Sequence, residues 1–271
     1  IRSNAPKSFA AQNRAVTTND FEALVNSNFS GFRSVYVFGG EDADPPQFGK
    51  VFITLNPNIG TIVPSSLKTS IELFLQDRCS VGSVPEVIDP DASYFRYSAS
   101  VIYNDNLTVL DSATLATLIK NEISKFFRNN TTDFNSFVSI TEMERAVLNA
   151  LPEVSTVQIL PSLEKRFIPD ATRASDYTIK FKTPIFHPHS GHQSVISSNE
   201  FKVLDVNNVD RIVTVRDDGN GTLNAVENLG GIETVVYSNF GSVNYALGEV
   251  AFDSFKLTTH SENDIKIRVV V

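Results

Sequence analysis

The chain of 271 residues lacks most of the residue types on which common functional sites depend. It has a single cysteine, Cys79, which excludes both an internal disulfide and a zinc site built from four cysteines. Tryptophan is absent while phenylalanine occurs 20 times, so aromatic packing falls to Phe and Tyr. No apolar run approaches the ~18 residues of a membrane span, so no membrane-spanning helix is expected.

Positive charge is also scarce. The chain has 23 Lys and Arg against 31 Asp and Glu, a formal net charge of −8, and neither residues 1–163 nor residues 164–271 carry a basic surplus. No cluster of Lys and Arg stands out along the sequence. Because phosphate contacts dominate the affinity for nucleic acid, we expect no nucleic-acid partner, and docking on an anionic membrane is disfavoured for the same reason.

The composition that remains is that of a folded protein. Hydrophobic residues make up 41% of the chain and charged residues 20%, which permits a sizeable core. The length suits one large domain or two ordinary ones.

Residues 1–48 predict a capped helix, a strand and an acidic loop joined to the first domain. Thr17 or Thr18 can accept hydrogen bonds from the first helical turn, and Asp20 places a carboxylate at the positive end of the helix dipole. Apolar residues at spacings of three and four predict a helix over about 18–27. Residues 33–38 alternate as a strand, and the Gly39–Pro46 loop follows.

Residues 49–163 predict an α+β domain of ferredoxin-like, βαββαβ-type order, with a mixed sheet and helices on one face. Thr141 and Glu144 have the spacing of a capping box for its last helix. The predicted strands cover 50–56, 84–89, 93–104 and 154–160, and the predicted helices begin near Pro64, Ser112 and Thr141.

Residues 161–175 lose periodicity and carry charge and proline, which is typical of a boundary. Residues 164–271 then predict an all-β, sandwich-like domain of about seven short strands. The pairs Asp218-Gly219 and Asn220-Gly221 are typical of a hairpin turn, which needs positive φ.

Three histidines, His187, His189 and His192, are the one group with metal-ligand spacing. No acidic residue lies among them and no helix would present them on one face. We therefore interpret the run as a polar loop and predict no metal. If these histidines did bind a metal, the site would be one shared between subunits across a symmetry axis.

Catalytic motifs are missing as well. There is no Gly-x-Ser-x-Gly elbow, no catalytic context around Cys79 and no calcium-loop spacing in the segment that follows Asp217. We predict no catalytic residues and no cofactor. Two other hypotheses stay open: a glycan- or receptor-binding β-domain, and a metal-dependent hydrolase that uses the three histidines.

Two stretches resemble a known family. Asn4-Ala-Pro6 with Ala11–Phe21, Ser34–Phe38, Gly39–Pro46 and Gly49–Ile53 is similar to baseplate J-like proteins of contractile-tailed phages and related injection machines. The other stretch is similar to the C-terminal part of the baseplate wedge subunit known as gene product six of the large myophages. It comprises Tyr177–Phe186, Ser197–Val203, Asp217–Leu223 and Phe240–Val250.

The resemblance implies a structural virion protein without catalysis. The family's wedge subunit dimerises, builds a ring around the tail hub and binds other wedge and hub proteins. This chain would be the C-terminal portion of such a subunit, placed in the tail baseplate of a virion assembled in the host cytoplasm. The histidine run is not part of the resemblance.

Overall fold

The structure is a computed structural model, and it describes residues 13–107, 110–131, 134, 136, 138–170, 172–188, 194–205, 207–255, 259–260 and 264–271. The helices of this part are α1 (Thr18–Asn28), α2 (Ser65–Gln76), α3 (Ser112–Asn130) and α4 (Ile140–Ala150). The first five strands are β1 (Phe32–Gly39), β2 (Lys50–Pro57), β3 (Val84–Ile88), β4 (Tyr94–Tyr103) and β5 (Val154–Phe167). The remaining strands are β6 (Ser175–Lys180), β7 (Ile196–Ser198), β8 (Phe201–Leu204), β9 (Asp210–Asp217), β10 (Thr222–Leu229), β11 (Ile232–Asn244), β12 (Glu249–Phe255), β13 (Thr259–His260) and β14 (Ile265–Val270).

Helix α1 begins at a capping box whose N-cap is Thr17, one of the two caps that the sequence predicts. The Asp20 N–H donates to Thr17 Oγ1 at 3.3 Å, and the Thr17 N–H donates to Asp20 Oδ2 at 2.9 Å. These reciprocal bonds satisfy two backbone donors that the first helical turn leaves unpaired. Phe21, Leu24 and Val25 are buried on the opposite side of the helix.

The first sheet has three strands in the order β1-β2-β3. Strand β1 pairs antiparallel with β2, and β3 pairs parallel with β2, so α2 serves as the crossover that a parallel pair requires. Leu24 of α1, Ile53 of β2 and Ile71 of α2 meet in one buried cluster. This mixed sheet with its helices confirms the α+β prediction for the N-terminal part.

Strands β4 and β5 correct the predicted ferredoxin-like sheet. They belong to a second, 11-stranded sheet in which nine strands follow the order β4-β5-β14-β7-β9-β10-β11-β12-β6, with β8 and β13 branching from β9. Strand β5 has 14 residues and pairs with β4 on one side and β14 on the other. The order of strands along the chain does not reveal that β5 pairs with the distant strand β14. Because of this pairing, β4 and β5 belong to the second sheet and not to the three-stranded sheet.

The second sheet folds over one core. The ring of Phe167 in β5 lies 5.1 Å from that of Tyr177 in β6 and 6.0 Å from that of Phe252 in β12, although β5 and β6 lie near opposite ends of the strand order. Ile267 of β14 is buried in the same cluster. This arrangement confirms the all-β prediction for the C-terminal part.

Several local predictions are refined. Residues 161–167, predicted to be part of a domain boundary, continue β5. The cap of α4 is Ser139, whose Oγ accepts from the Glu142 N–H at 3.3 Å, so the predicted Thr141–Glu144 capping box is wrong. The β9–β10 turn is confirmed, with positive φ at Gly219 and Gly221.

The chain divides into two compact units, residues 1–92 with 104–154, and residues 93–103 with 155–271. The sequence boundaries at 48/49 and 163/164 are not tested by this division, and we keep them as proposals.

We expect Thr17→Ala to lower the free energy of unfolding by about 1 kcal/mol, because the Asp20 N–H loses its side-chain acceptor and keeps only the Thr17 carbonyl oxygen. Thr18→Ala, one residue into the helix, is the control and should change stability by less than about 0.5 kcal/mol. Urea unfolding followed by circular dichroism measures both. Equal effects of the two variants would contradict the assignment of the cap.

Candidate interaction surfaces

The histidine run reaches the described structure through one member. The ring of His187 stacks on Tyr245 with centroids 4.5 Å apart, and its Nε2 lies 3.1 Å from the carbonyl oxygen of Gly219. A carbonyl oxygen only accepts, so Nε2 carries the hydrogen and Nδ1 alone is left for a metal. His189 and His192 lie outside the described residues, and the absence of a metal stays a prediction.

A buried carboxylate holds the structure beneath His187. Asp217 Oδ2 accepts from the Tyr245 hydroxyl at 2.8 Å, and Oδ1 accepts from the Ile196 N–H at 2.9 Å and from the Ser194 hydroxyl. Burial raises the pKa of Tyr245, and the hydrogen bond to Asp217 raises it further. The tyrosine therefore stays a neutral donor at physiological pH. The network connects the segment before β7, the end of β9 and the turn after β11.

Neither a metal site nor an activated cysteine is visible in the part of the chain that the structure describes. No group of three or more His, Cys, Asp and Glu side chains there could hold a metal ion. Cys79 is partly buried, and its Sγ lies 3.2 Å from the Ser83 carbonyl oxygen.

Among the helices of the described residues, none is both long enough and apolar enough to cross a membrane.

The acidic loop after β1 is closed by a backbone contact. The Gln47 N–H donates to the Gly40 carbonyl oxygen at 2.7 Å. A Cβ on Gly40 would lie 1.9 Å from the Gln47 carbonyl oxygen, so the close approach requires glycine there. The loop exposes Glu41, Asp42 and the ring of Phe48, which is 84% exposed.

A second buried carboxylate, Glu164 on β5, lies under three arginines. Its side chain is 1% exposed. Oε1 accepts from Arg166 Nη2 at 2.9 Å and from Arg96 Nη2 at 3.3 Å, while Oε2 accepts from Arg268 Nη2 at 3.1 Å. The three guanidinium groups belong to β5, β4 and β14, so the interaction ties three neighbouring strands. We call Arg96, Arg166 and Arg268 the arginine cluster.

The arginine cluster keeps Glu164 ionised. Burial by itself raises the pKa of Glu164, but the hydrogen bonds from Arg268, Arg96 and Arg166 outweigh it and hold the pKa below the ordinary value. Arg166 is further held by Tyr94, whose ring centroid lies 4.1 Å from the guanidinium carbon, and by Asp264 at 3.8 Å. The cluster is therefore a fixed array of positive charge.

Sequence reasoning missed the arginine cluster. Glu164 and Arg166 are two apart on a strand and so share a face, which was the one local signal. Those residues fall in the segment predicted as a domain boundary, and Arg96 and Arg268 lie 68 and 104 positions from Glu164. Only the pairing of β4, β5 and β14 brings the charges together.

The first sheet is similar to a known domain. Residues 17–88 match the family described as baseplate structural protein gp6, C-terminal domain I. The chain resembles a baseplate wedge subunit. The match runs from the N-cap Thr17 to Ile88 at the end of β3, and it confirms the predicted resemblance to a baseplate wedge subunit. The second stretch lies outside the matched residues.

A solved structure, the cryo-EM structure of the anti-feeding prophage baseplate, 6-fold symmetrised, is similar to part of the chain. The alignment has 16% identity and a TM-score of 0.43, and covers 59% of this chain. It spans 36% of that chain, about a third of its length. No curated protein matches the sequence.

We expect Glu164→Gln to lower the free energy of unfolding by about 2–3 kcal/mol, because three guanidinium groups lose their anion. The partial exposure of the arginines keeps the expected loss below the ~3–5 kcal/mol typical of fully buried ion pairs. Glu142→Gln, an exposed glutamate in the first turn of α4, is the control and should cost less than about 0.5 kcal/mol. A Glu164→Gln variant as stable as the wild type would contradict the assignment.

The contribution of Glu164 should also depend on pH. Because its folded pKa lies below the ordinary value of 4.5, the contribution is complete above that pH and is lost as the pH falls toward the folded pKa. The stability difference between wild type and Glu164→Gln should therefore stay constant between about pH 7 and pH 5.5 and shrink below about pH 4.5. Urea unfolding across this pH range measures the difference. A difference that stays constant down to about pH 3 would contradict the stabilisation of ionised Glu164 by the arginine cluster.

Proposed function

We propose that the chain is a structural subunit of a contractile-tail baseplate, acting through protein–protein contacts and not through catalysis. The match of residues 17–88 to a baseplate structural domain carries this proposal. Those residues include the whole three-stranded sheet and nearly all of its core, so the likeness covers a folding unit and not an isolated motif.

In this role the chain dimerises, and neighbouring dimers join in a ring around the tail hub in the virion. Closing a ring of dimers takes two kinds of contact, one within the dimer and one between dimers. Other wedge and hub proteins are the further partners that we propose.

Exposed apolar side chains at one end of the three-stranded sheet support a contact role. The Val84 N–H donates to the Gly49 carbonyl oxygen at 2.8 Å, which brings the starts of β2 and β3 together. Phe48, Val81 and Val84 are all exposed there. Grouped apolar side chains on a surface are typical of protein interfaces. We call these three residues the apolar end.

The proposal predicts self-association of the purified chain. Light scattering and sedimentation velocity over a concentration series should show dimers or larger species, and a purely monomeric chain at high concentration would contradict the proposal. Phe48→Ser with Val81→Ser should weaken association about tenfold or more, because an aromatic contact worth over ~1.4 kcal/mol is lost. The control is Ile168→Ser with Leu229→Ser, two exposed apolar residues outside the apolar end.

A further inference from the structure

The arginine cluster carries more positive charge than its own carboxylate neutralises. Three guanidinium groups face the buried Glu164, and Asp264 lies near Arg166 alone, while the side chains of Arg96, Arg166 and Arg268 stay 48%, 30% and 51% exposed. Each guanidinium has five N–H donors, whereas a carboxylate offers about four acceptor sites in all. Donors are therefore left over for carboxylates from outside.

The positive charge continues across the same face of the sheet. Directly opposite residues on antiparallel strands share a face, and Arg166 is opposite Lys266 while Arg268 is opposite Ser197. Ser197 in turn is opposite Arg216 of β9, which lies at the rim of this face and is paired with Glu233 at 3.3 Å. The core-facing residues of β14, such as Ile267, point to the other side. We call this outer surface, with the arginine cluster at its centre, the basic face.

The basic face is also pre-organised. Glu164 holds all three guanidinium groups, and Tyr94 and Asp264 hold Arg166, so less side-chain entropy remains to be lost on binding than for exposed arginines. Two exposed apolar residues lie nearby on the same strands. Val270 of β14 comes two residues after Arg268, and Leu160 of β5 comes four residues before Glu164. A basic centre with apolar neighbours suits an acidic segment that also carries an apolar side chain.

One exposed segment of this chain has that chemistry. The loop between Gly39 and Gly49 exposes the carboxylates of Glu41 and Asp42 and, a few residues later, the ring of Phe48. The Gly40–Gln47 bond closes it into a compact projection. The chain has a net charge of −8, so most of its surface should repel a second copy. A basic face that meets an acidic loop replaces this repulsion by attraction at one place.

We infer that the basic face binds the acidic loop of a second copy of this chain, with Glu41 and Asp42 meeting the arginine cluster. A contact between two different surfaces can repeat head to tail from one copy to the next, and heterologous contacts of that kind generate rings. The inference rests on the proposed function, and it assigns one of the two contacts that a ring of dimers needs.

A double-mutant cycle on the full chain tests the pairing. Arg96→Gln with Arg268→Gln, and separately Glu41→Gln with Asp42→Gln, should each weaken self-association at least about tenfold in sedimentation velocity. Combining all four changes should weaken it little further, because both pairs of changes remove the same contact. Association of the wild type should also weaken as salt is raised, since exposed charge pairs are screened.

Controls keep charge and folding separate from contact. Arg14→Gln with Arg145→Gln, and Asp210→Asn with Asp253→Asn, make the same charge changes at exposed positions elsewhere and should leave association unchanged. Arg166 stays on Glu164 in the arginine variant, and its thermal unfolding is checked by circular dichroism. The loop variant is independent of the arginine cluster, so it tests the inference even where the arginine variant unfolds.

The outcomes are distinguishable. A wild type that stays monomeric at every concentration overturns the proposed function and the inference with it. A wild type that associates, but whose association survives either pair of neutralising changes, overturns the inference alone. Additive losses in the four-fold variant overturn the pairing of these two surfaces. Binding of a single-stranded DNA oligonucleotide, lost in the arginine variant while self-association persists, assigns the basic face to a different anion and likewise overturns the inference.

Discussion

The burial of one ionised carboxylate organises the C-terminal sheet. An ionised glutamate taken out of water needs close positive partners, and Glu164 has three. Those partners come from β4, β5 and β14, so the carboxylate is satisfied only when these strands are neighbours in the right register. Asp217 repeats the principle on β9, where hydrogen bonds from Ile196 and Tyr245 join loop and strands. Polar burial thus specifies the pairing that apolar alternation alone leaves open.

The same arrangement links stability to assembly. Glu164 and Asp264 neutralise part of the positive charge of the arginine cluster and leave the rest at the surface. Residues that hold strands together therefore also define a basic face on an acidic chain. In the N-terminal part, Gly40 plays a comparable double role, since its contact with Gln47 closes the loop that displays Glu41 and Asp42. Both surfaces suit a structural protein whose work lies in its contacts.

Local structure was predictable wherever short-range chemistry decides it. The Thr17 capping box, the apolar side of α1 and the glycines of the β9–β10 turn all depend on residues within a few positions of one another. The resemblance to a baseplate domain was also readable, because residues 17–88 form a unit with its own turns and caps. The Thr141–Glu144 cap failed because Ser139, an equally good cap, lies two residues earlier and begins the helix first.

The amino-acid sequence by itself determined the helix caps, most strand positions, the turns and the likeness to a baseplate domain. The tertiary structure alone decided which strands are neighbours, and therefore that β4 and β5 belong to the second sheet. It also decided that Arg96, Arg166 and Arg268 form one charged surface, although no basic cluster is visible along the chain. The reason is physical: caps and turns are satisfied by adjacent residues, whereas a buried charge is satisfied by whichever strands the whole sheet brings beside it.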